Sequence, residues 1–363
     1  MPKSPNTLRF IILLTLLSSF SVTAGAQRVN TEAQAAIARD NTAGEDLQVR
    51  RVALNALGQR AGTVVVMNPK SGRVYAIINQ EWAVRRSFKP CSVIKLVTGL
   101  AGLNEGVVNS AQSAEIAGQP APFTFSRALA ASYNEYFESV GVQVGAARFR
   151  RYAQDLGFGQ RTGINLAGEN AGRLPVGDFS ANLRQTSSHG DNFFVTPIQL
   201  ATLISSIANG GNLVIPHFGA DETRVRRRLN LVSASSLRQM LPGLAGAVQY
   251  GTAWPAFDPA NRVAGKTGTC DDAGLSSGLF ASYAPVVNPK LAIVVVTRGP
   301  QENSSHAAAA AGSIYRALKG RFGGSNQWPA GVSSYEIASV PSKRNRLAHA
   351  KGKVTTPAPA KRR

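Results

Sequence analysis

The chain has 363 residues, 44% of them apolar, with glycine and proline scattered along it; that is the composition of a folded globular protein and excludes a wholly disordered one. Forty Lys and Arg against twenty Asp and Glu give a net charge of +20, so a partner chosen by long-range electrostatics is anionic. No nucleic-acid-binding motif accompanies that charge, and nucleic acid is not an expected partner.

The first stretch, MPKSPNTLRFIILLTLLSSFSVTAGAQ, places Lys3 and Arg9 before an apolar run from Phe10 to Phe20 and ends in Ala24-Gly25-Ala26. It reads as a secretory signal peptide over residues 1–26, with the mature chain starting at Gln27. The apolar core is about half of the ~20 residues that span a bilayer, which makes an uncleaved anchor the weaker reading. A periplasmic or secreted location follows, and there Cys91 and Cys270, the two cysteines, can form a lasting disulfide.

Residues 27–44 form a short N-terminal segment. EDLQVRRVALNAL (45–57) spaces its apolar residues at helical intervals, and GTVVVMNPKSGRVYAIIN gives two β-rich runs around a turn, a hairpin. Helical stretches separated by Gly and Pro loops follow, up to TPIQLATLISSIANGG (196–211), where Pro197 suits a first turn and Gly210 an end. From Arg262 the pattern turns to strand in RVAGKTGTC, GLFASYAP and KLAIVVVTRG, and SSHAAAAAGSIYRALKGRF closes as a helix. Strands near both ends with helices between predict an α+β domain over 45–323, one sheet built from the two ends and an all-α subdomain inserted at about 100–245. Residues 324–363 read as a basic disordered tail. The last twenty-one residues hold eight basic side chains and no acidic one, and without these and the two leader cations the net charge is +10. Such a tail suits anionic cell-envelope polymers, or serves only to solubilise.

Three short motifs carry chemistry. In KPCSVIKLVTGLAGL, Pro90 favours a helix start, and Ser92 and Lys95 fall one turn apart on one face. A serine hydroxyl is a poor nucleophile until a base takes its proton, and a lysine becomes that base only where burial or nearby positive charge lowers its pKa. In ALAASYNEYFESVG, Ser132 offers a hydroxyl relay and Asn134 a carboxamide that can donate to and accept from a substrate amide. In VAGKTGTC, Lys266, Thr267 and Thr269 lie on a strand that Gly265 and Gly268 leave open to a ligand's backbone. Each motif alone is weak, since Ser180-Ala181-Asn182 and Arg161-Thr162-Gly163 mimic the second and third. Singly, Lys95 fits a surface lysine, Ser132 a cap and Asn134 a turn residue.

In this order the three resemble the active-site boxes of penicillin-binding proteins and class A β-lactamases. From about Leu47 to Phe322 the chain is similar to the transpeptidase domain of penicillin-binding proteins, also through LGFGQRTGINLAGENAGRLP, VTPIQLATLISSIANGG, LPGLAGAVQYGTA and ASYAPVVNPKLAIVVV. The resemblance implies a β-lactamase/transpeptidase-like fold and a serine D,D-transpeptidase or D,D-carboxypeptidase acting on D-Ala-D-Ala stem peptides of peptidoglycan, with β-lactams as covalent inhibitors. It makes Ser92 the acylated nucleophile and Lys95 its base, while Ser132 and Lys266 move protons and Asn134 holds the substrate amide. Thr267, Gly268 and Thr269 bind substrate, the two threonines at its carboxylate. The N–H groups of Ser92 and Thr269 form an oxyanion hole. If they do, Cys91 and Cys270 flank two backbones held close together and are expected to be bonded, a placement that looks like the disulfide of class A carbapenemases. No cofactor or metal is implied, and His189, His217, His306 and His349 show no ligand spacing.

Two alternatives differ in what attacks the acyl-serine. A class A β-lactamase positions water with a glutamate in an E-x-x-L-N loop; Glu169 follows Asn134 by 35 residues, but its setting LAGENAGRLP lacks Leu-Asn. Class D enzymes usually carry valine where Asn134 stands. A long-lived penicilloyl-enzyme is therefore expected. A non-catalytic binding module would show a damaged box, and all three are intact. Only about eighteen mature residues precede the first helix, so a stand-alone domain is expected.

Overall fold

The computed structural model describes residues 25, 27–109, 113–114, 123–220, 222–272 and 274–324. The expected signal peptide and nearly all of the basic tail lie outside these. Helix α1 (27–37) comes first, then α2 (Leu47–Leu57), whose N-cap Asp46 accepts from the backbone N–H of Gln48 and Val49.

Strands β1 (Gly62–Met67) and β2 (Val74–Ile78) form the expected hairpin. Helices α3 (Lys95–Asn104), α4 (Phe125–Ala131), α5 (Asn134–Val144), α6 (Ala146–Asp155), α7 (Leu183–His189), α8 (Pro197–Ala208) and α9 (Ala234–Gln249) follow. Among them lie two small ribbons, β3 (Ser113–Ala114) with β4 (Phe123–Thr124), and β5 (Asn212–Val214) with β6 (Val225–Arg228). Strands β7 (Ala264–Asp272), β8 (Leu275–Ala284) and β9 (Leu291–Gly299) precede α10 (Ser304–Ala317) and α11 (Lys319–Phe322).

The large sheet runs β2-β1-β9-β8-β7, with every neighbouring pair antiparallel. The first hairpin thus joins strands some 200 positions later, which is the α+β arrangement expected from the two chain ends. In β1 and β9 the apolar runs are continuous because both faces are covered. Period-two alternation then sends Val64, Val66, Ile293 and Val295 into one core with Leu57, Ala311 and Ile314 of the terminal helices. Val65, Met67, Val294 and Val296 enter another, shared with Leu96, Leu100, Ile198 and Ile204 of the inserted helices.

Helix α8 lies almost wholly buried. Thr196 and Gln199 form a reciprocal capping box, and Gln199 Nε2 also donates to the carbonyls of Gln160 and Ala171, each at 2.8 Å. No helix among the described residues is long and apolar enough to cross a membrane.

Candidate active site

Local backbone geometry sets the first motif. Cys91 has φ +50°, a left-handed conformation that an α-helix cannot contain, so Cys91–Ile94 forms a 3₁₀ turn and α3 proper starts at Lys95. The regular helix start expected at Pro90 is displaced by this turn. Ser92 and Lys95 nevertheless remain one turn apart, because a 3₁₀ turn eclipses residues i and i+3. Lys95 Nζ lies 3.2 Å from Ser92 Oγ.

The second motif is a corner between helices. Ser132 ends α4 with φ +57°, and Asn134 begins α5 two residues on. Among the described residues the other non-glycine positions at positive φ are Asn79, Asn192 and Asn288, the type that tolerates it best, so Cys91 and Ser132 hold strained backbone at the site itself.

The corner delivers both partners to Lys95. Its Nζ donates to Ser132 O at 2.7 Å and Asn134 Oδ1 at 2.5 Å, and Ser132 Oγ is 3.2 Å away. A neutral amine has two N–H groups and one lone pair. Two oxygens that can only accept occupy both N–H groups, which leaves the lone pair facing the two hydroxyls, Ser92 Oγ and Ser132 Oγ, each at 3.2 Å.

Burial, the dominant cause, pushes Lys95 down to about 7, against a smaller upward pull from Glu138 and Glu135. The side chain is fully buried, with Nζ 5.7 Å from the centre of the Phe137 ring.

The third motif arrives on β7, the outer strand of the sheet, which lies along the Cys91–Ile94 turn. A Cβ added to Gly268 would sit 3.1 Å from Pro90 O and 3.2 Å from Cys91 Cβ, so glycine is what lets strand and turn approach this closely. Lys266 Nζ donates to Ser132 Oγ at 2.8 Å and to Thr267 O at 2.9 Å. It is fully buried, and desolvation, with Lys95 second, holds it well below the ordinary lysine range. Ser132 Oγ therefore joins two lysines. Cys91 and Cys270 are disulfide-bonded, with Cα atoms 5.7 Å apart.

Thr267 and Thr269 direct their hydroxyls to groups that the sequence had not singled out. Thr267 Oγ1 is 2.5 Å from Thr252 Oγ1, and Thr269 Oγ1 accepts from Ser304 N, the first residue of α10, at 3.0 Å. The signal for Thr252 was the preceding glycine: a Cβ on Gly251 would lie 2.3 Å from Ala130 O, so that loop must pass close to the end of α4. His189, the last residue of α7, is held by Ser188 Oγ at 2.6 Å from Nδ1, and burial first and Lys95 second lower its pKa.

Glu169 has no free carboxylate oxygen. Oε1 accepts from Thr162 N and Thr162 Oγ1, both at 2.5 Å, and Oε2 from Gly163 N at 3.0 Å. This is a loop-bracing group, as its sequence setting suggested.

The sequence profile of the penicillin binding protein transpeptidase domain matches residues 62–318, which include all three motifs. The chain belongs to that family. Among curated proteins it is similar to stage V sporulation protein D of Bacillus subtilis, 27% identical over 309 residues that cover 69% of this chain and 48% of that protein. It is also similar to the peptidoglycan D,D-transpeptidase MrdA of Acinetobacter baumannii, 25% identical, covering 80% of this chain and 56% of that one. The chain spans about half the length of the curated relatives it matches.

Solved structures with the same fold include penicillin-binding protein 2 of Pseudomonas aeruginosa in complex with WCK 5153, with TM-score 0.68, 22% identity and coverage of 76% of this chain and 74% of that one. Penicillin-binding protein 3 of Mycobacterium tuberculosis complexed with aztreonam gives TM-score 0.63 at 24% identity, covering 77% and 78%.

Proposed function

We propose that this penicillin-binding domain is a serine D,D-transpeptidase or D,D-carboxypeptidase that cleaves the terminal D-Ala-D-Ala bond of peptidoglycan stem peptides through an acyl-Ser92 intermediate. The observation that carries the reading is Lys95, buried, brought to about 7 and with Nζ 3.2 Å from Ser92 Oγ. In the forward step Ser92 Oγ bonds to the scissile carbonyl carbon, and its proton passes to Lys95. The N–H groups of Ser92 and Thr269 receive the developing oxyanion, Ser92 being among the leading N–H groups that a helix start leaves without intrahelical partners.

Ser132, touched by both lysines, hands a proton to the departing D-alanine nitrogen, whose carboxylate rests on Thr267 and Thr269 beside Lys266. Asn134 turns its amide N–H groups to the substrate while its oxygen stays on Lys95. An amine from a neighbouring strand, or water, then releases the acyl group by the reverse proton path. The reading carries with it export to the periplasm or beyond, β-lactams as covalent inhibitors at Ser92, and an anionic envelope polymer as the partner of the basic tail.

Labelling with a fluorescent penicillin tests this. Wild-type protein should be labelled covalently at Ser92, and Ser92→Ala should lose the label while keeping its thermal transition. Labelling of the variant at another serine, mapped by peptide mass, would overturn the assignment.

A further inference from the structure

Away from the three motifs, positive charge gathers on the small ribbon of β5 and β6. The second strand reads Val225-Arg226-Arg227-Arg228, and Arg161 lies in the loop beside it. Like charges this close together repel, which costs the ribbon stability unless something offsets them.

The carboxylates that reach the ribbon are already spent. Asp155, at the end of α6, is buried: Oδ1 accepts from Arg227 Nη1 at 2.7 Å, and the carboxylate also accepts from Asn230 N and Leu231 N. Glu222 pairs with Arg224. Arg226 is the extra residue of a β-bulge opposite Leu213 and Val214, and it turns to the neighbouring loop, where Nη1 donates to Arg161 O at 2.6 Å. Arg161, Arg226 and Arg228 are exposed, and among the described residues no carboxylate pairs with any of the three. Their guanidinium groups present planar forks that match the oxygens of a phosphate.

The ribbon adjoins the β2 edge of the large sheet. His217, just past β5, bridges Arg73, and its carbonyl accepts from Val74 N, while Arg224 N donates to Ser71 O. The opposite edge is β7, which carries Lys266 to Thr269. The arginine face and the third motif thus belong to opposite edges of one sheet.

We infer that this face docks on an anionic phospholipid surface, with its free guanidinium groups on the lipid phosphates, and holds the domain with its active site turned away from that surface. Val225, 44% accessible beside the arginines, favours lipid over a soluble polyanion: a valine gains by entering the headgroup boundary and gains nothing from a charged polymer. Each cation near such a surface strengthens binding about fivefold, so loss of two predicts a drop of roughly 25-fold.

Sedimentation of the full chain with vesicles containing phosphatidylglycerol tests this. Wild-type protein should bind, and Arg226→Gln with Arg228→Gln should bind roughly 25-fold more weakly, each variant's folding being checked by its thermal transition. Arg51→Gln with Arg184→Gln removes the same charge from exposed positions on α2 and α7 and should stay within about threefold of wild type. Equal weakening of the two double variants would reduce the effect to total charge and overturn the inference. So would a wild type that does not bind, or a first double variant that loses affinity for soluble polyphosphate but not for vesicles, since the face would then serve a polymer. Vesicle-bound wild type should be labelled by fluorescent penicillin at the rate of the free protein. Labelling blocked on binding would put the active site against the lipid and overturn the inferred orientation.

Discussion

At the scale of single residues, Lys95 connects stability to activity. Only its neutral form can accept the Ser92 proton, and burial brings it to about 7. Penicillin acylation should therefore fall about tenfold for each pH unit below that value and level off above it, as measured by the rate of labelling across a pH series. A profile flat through this range would remove Lys95 as the base. The sign for stability is the same: the folded pKa is depressed below the ordinary 10.5, so the unfolded chain binds more protons between the two values and Lys95 adds stability as pH rises from about 7. Glu169 supplies the second expectation. Its oxygens are committed to Thr162 and Gly163, so Glu169 does not take the part of a water activator, and nitrocefin turnover should stay below ~1 s⁻¹. Faster turnover would mean that another group activates water.

Among elements, the decisive contact is between the Cys91–Ile94 turn, which carries the proposed nucleophile, and β7, which Gly268 lets approach and the disulfide fastens. The cysteines are 179 positions apart, a loop for which the chain-entropy model gives at most roughly 5 kcal/mol. Cys91→Ala with Cys270→Ala should lower the thermal transition and also slow acylation, because the strand is then no longer fixed against Ser92. A variant that loses stability but labels at the wild-type rate would show the bond to be a staple only. These elements were unequally legible. The hairpin, α8 and the last three strands could be read because their signals are local: apolar periodicity, Pro197 at a first turn, glycine at the ends. The 3₁₀ turn at Cys91 and the left-handed Ser132 could not, since neither residue type prefers positive φ and both are held by neighbours distant in sequence. Helix α1 was missed for another reason: its buried positions are Ala33 and Ala36, too small to mark an apolar face, with Val29 and Ile37 only partly buried at its ends.

The whole molecule brings the proposed catalytic groups from separate parts that must keep their relation: Ser92 and Lys95 from the start of α3, Ser132 and Asn134 from the corner between α4 and α5, and Lys266 to Thr269 from the sheet. The order of the boxes was readable in the sequence, but their meeting at Ser132 Oγ was not, because it depends on the chain folding back over a separation of 134 positions. The sheet is itself tied to the N-terminal segment by Arg50. Its guanidinium bridges Asp40 and Glu45, each at 2.9 Å, and donates to Ile77 O at 3.0 Å. Asp40 accepts in turn from the N–H groups of Asn79 and Gln80 at the end of β2, and Glu45 from Ile77 N. Both carboxylates are almost fully buried, and burial is the largest influence on Glu45, raising its pKa. Removing the cation would leave two buried carboxylates facing each other, which costs about 3–5 kcal/mol when a buried pair is broken. For a domain of this size, Arg50→Ala should then lower the thermal transition by roughly 6–15 °C. Ser92 labelling by penicillin below the new transition should be retained, since the triad touches none of the catalytic groups. A shift of only ~1 °C would mean that water reaches the carboxylates and that the segment from α1 to Asp46 is not held to the sheet in this way.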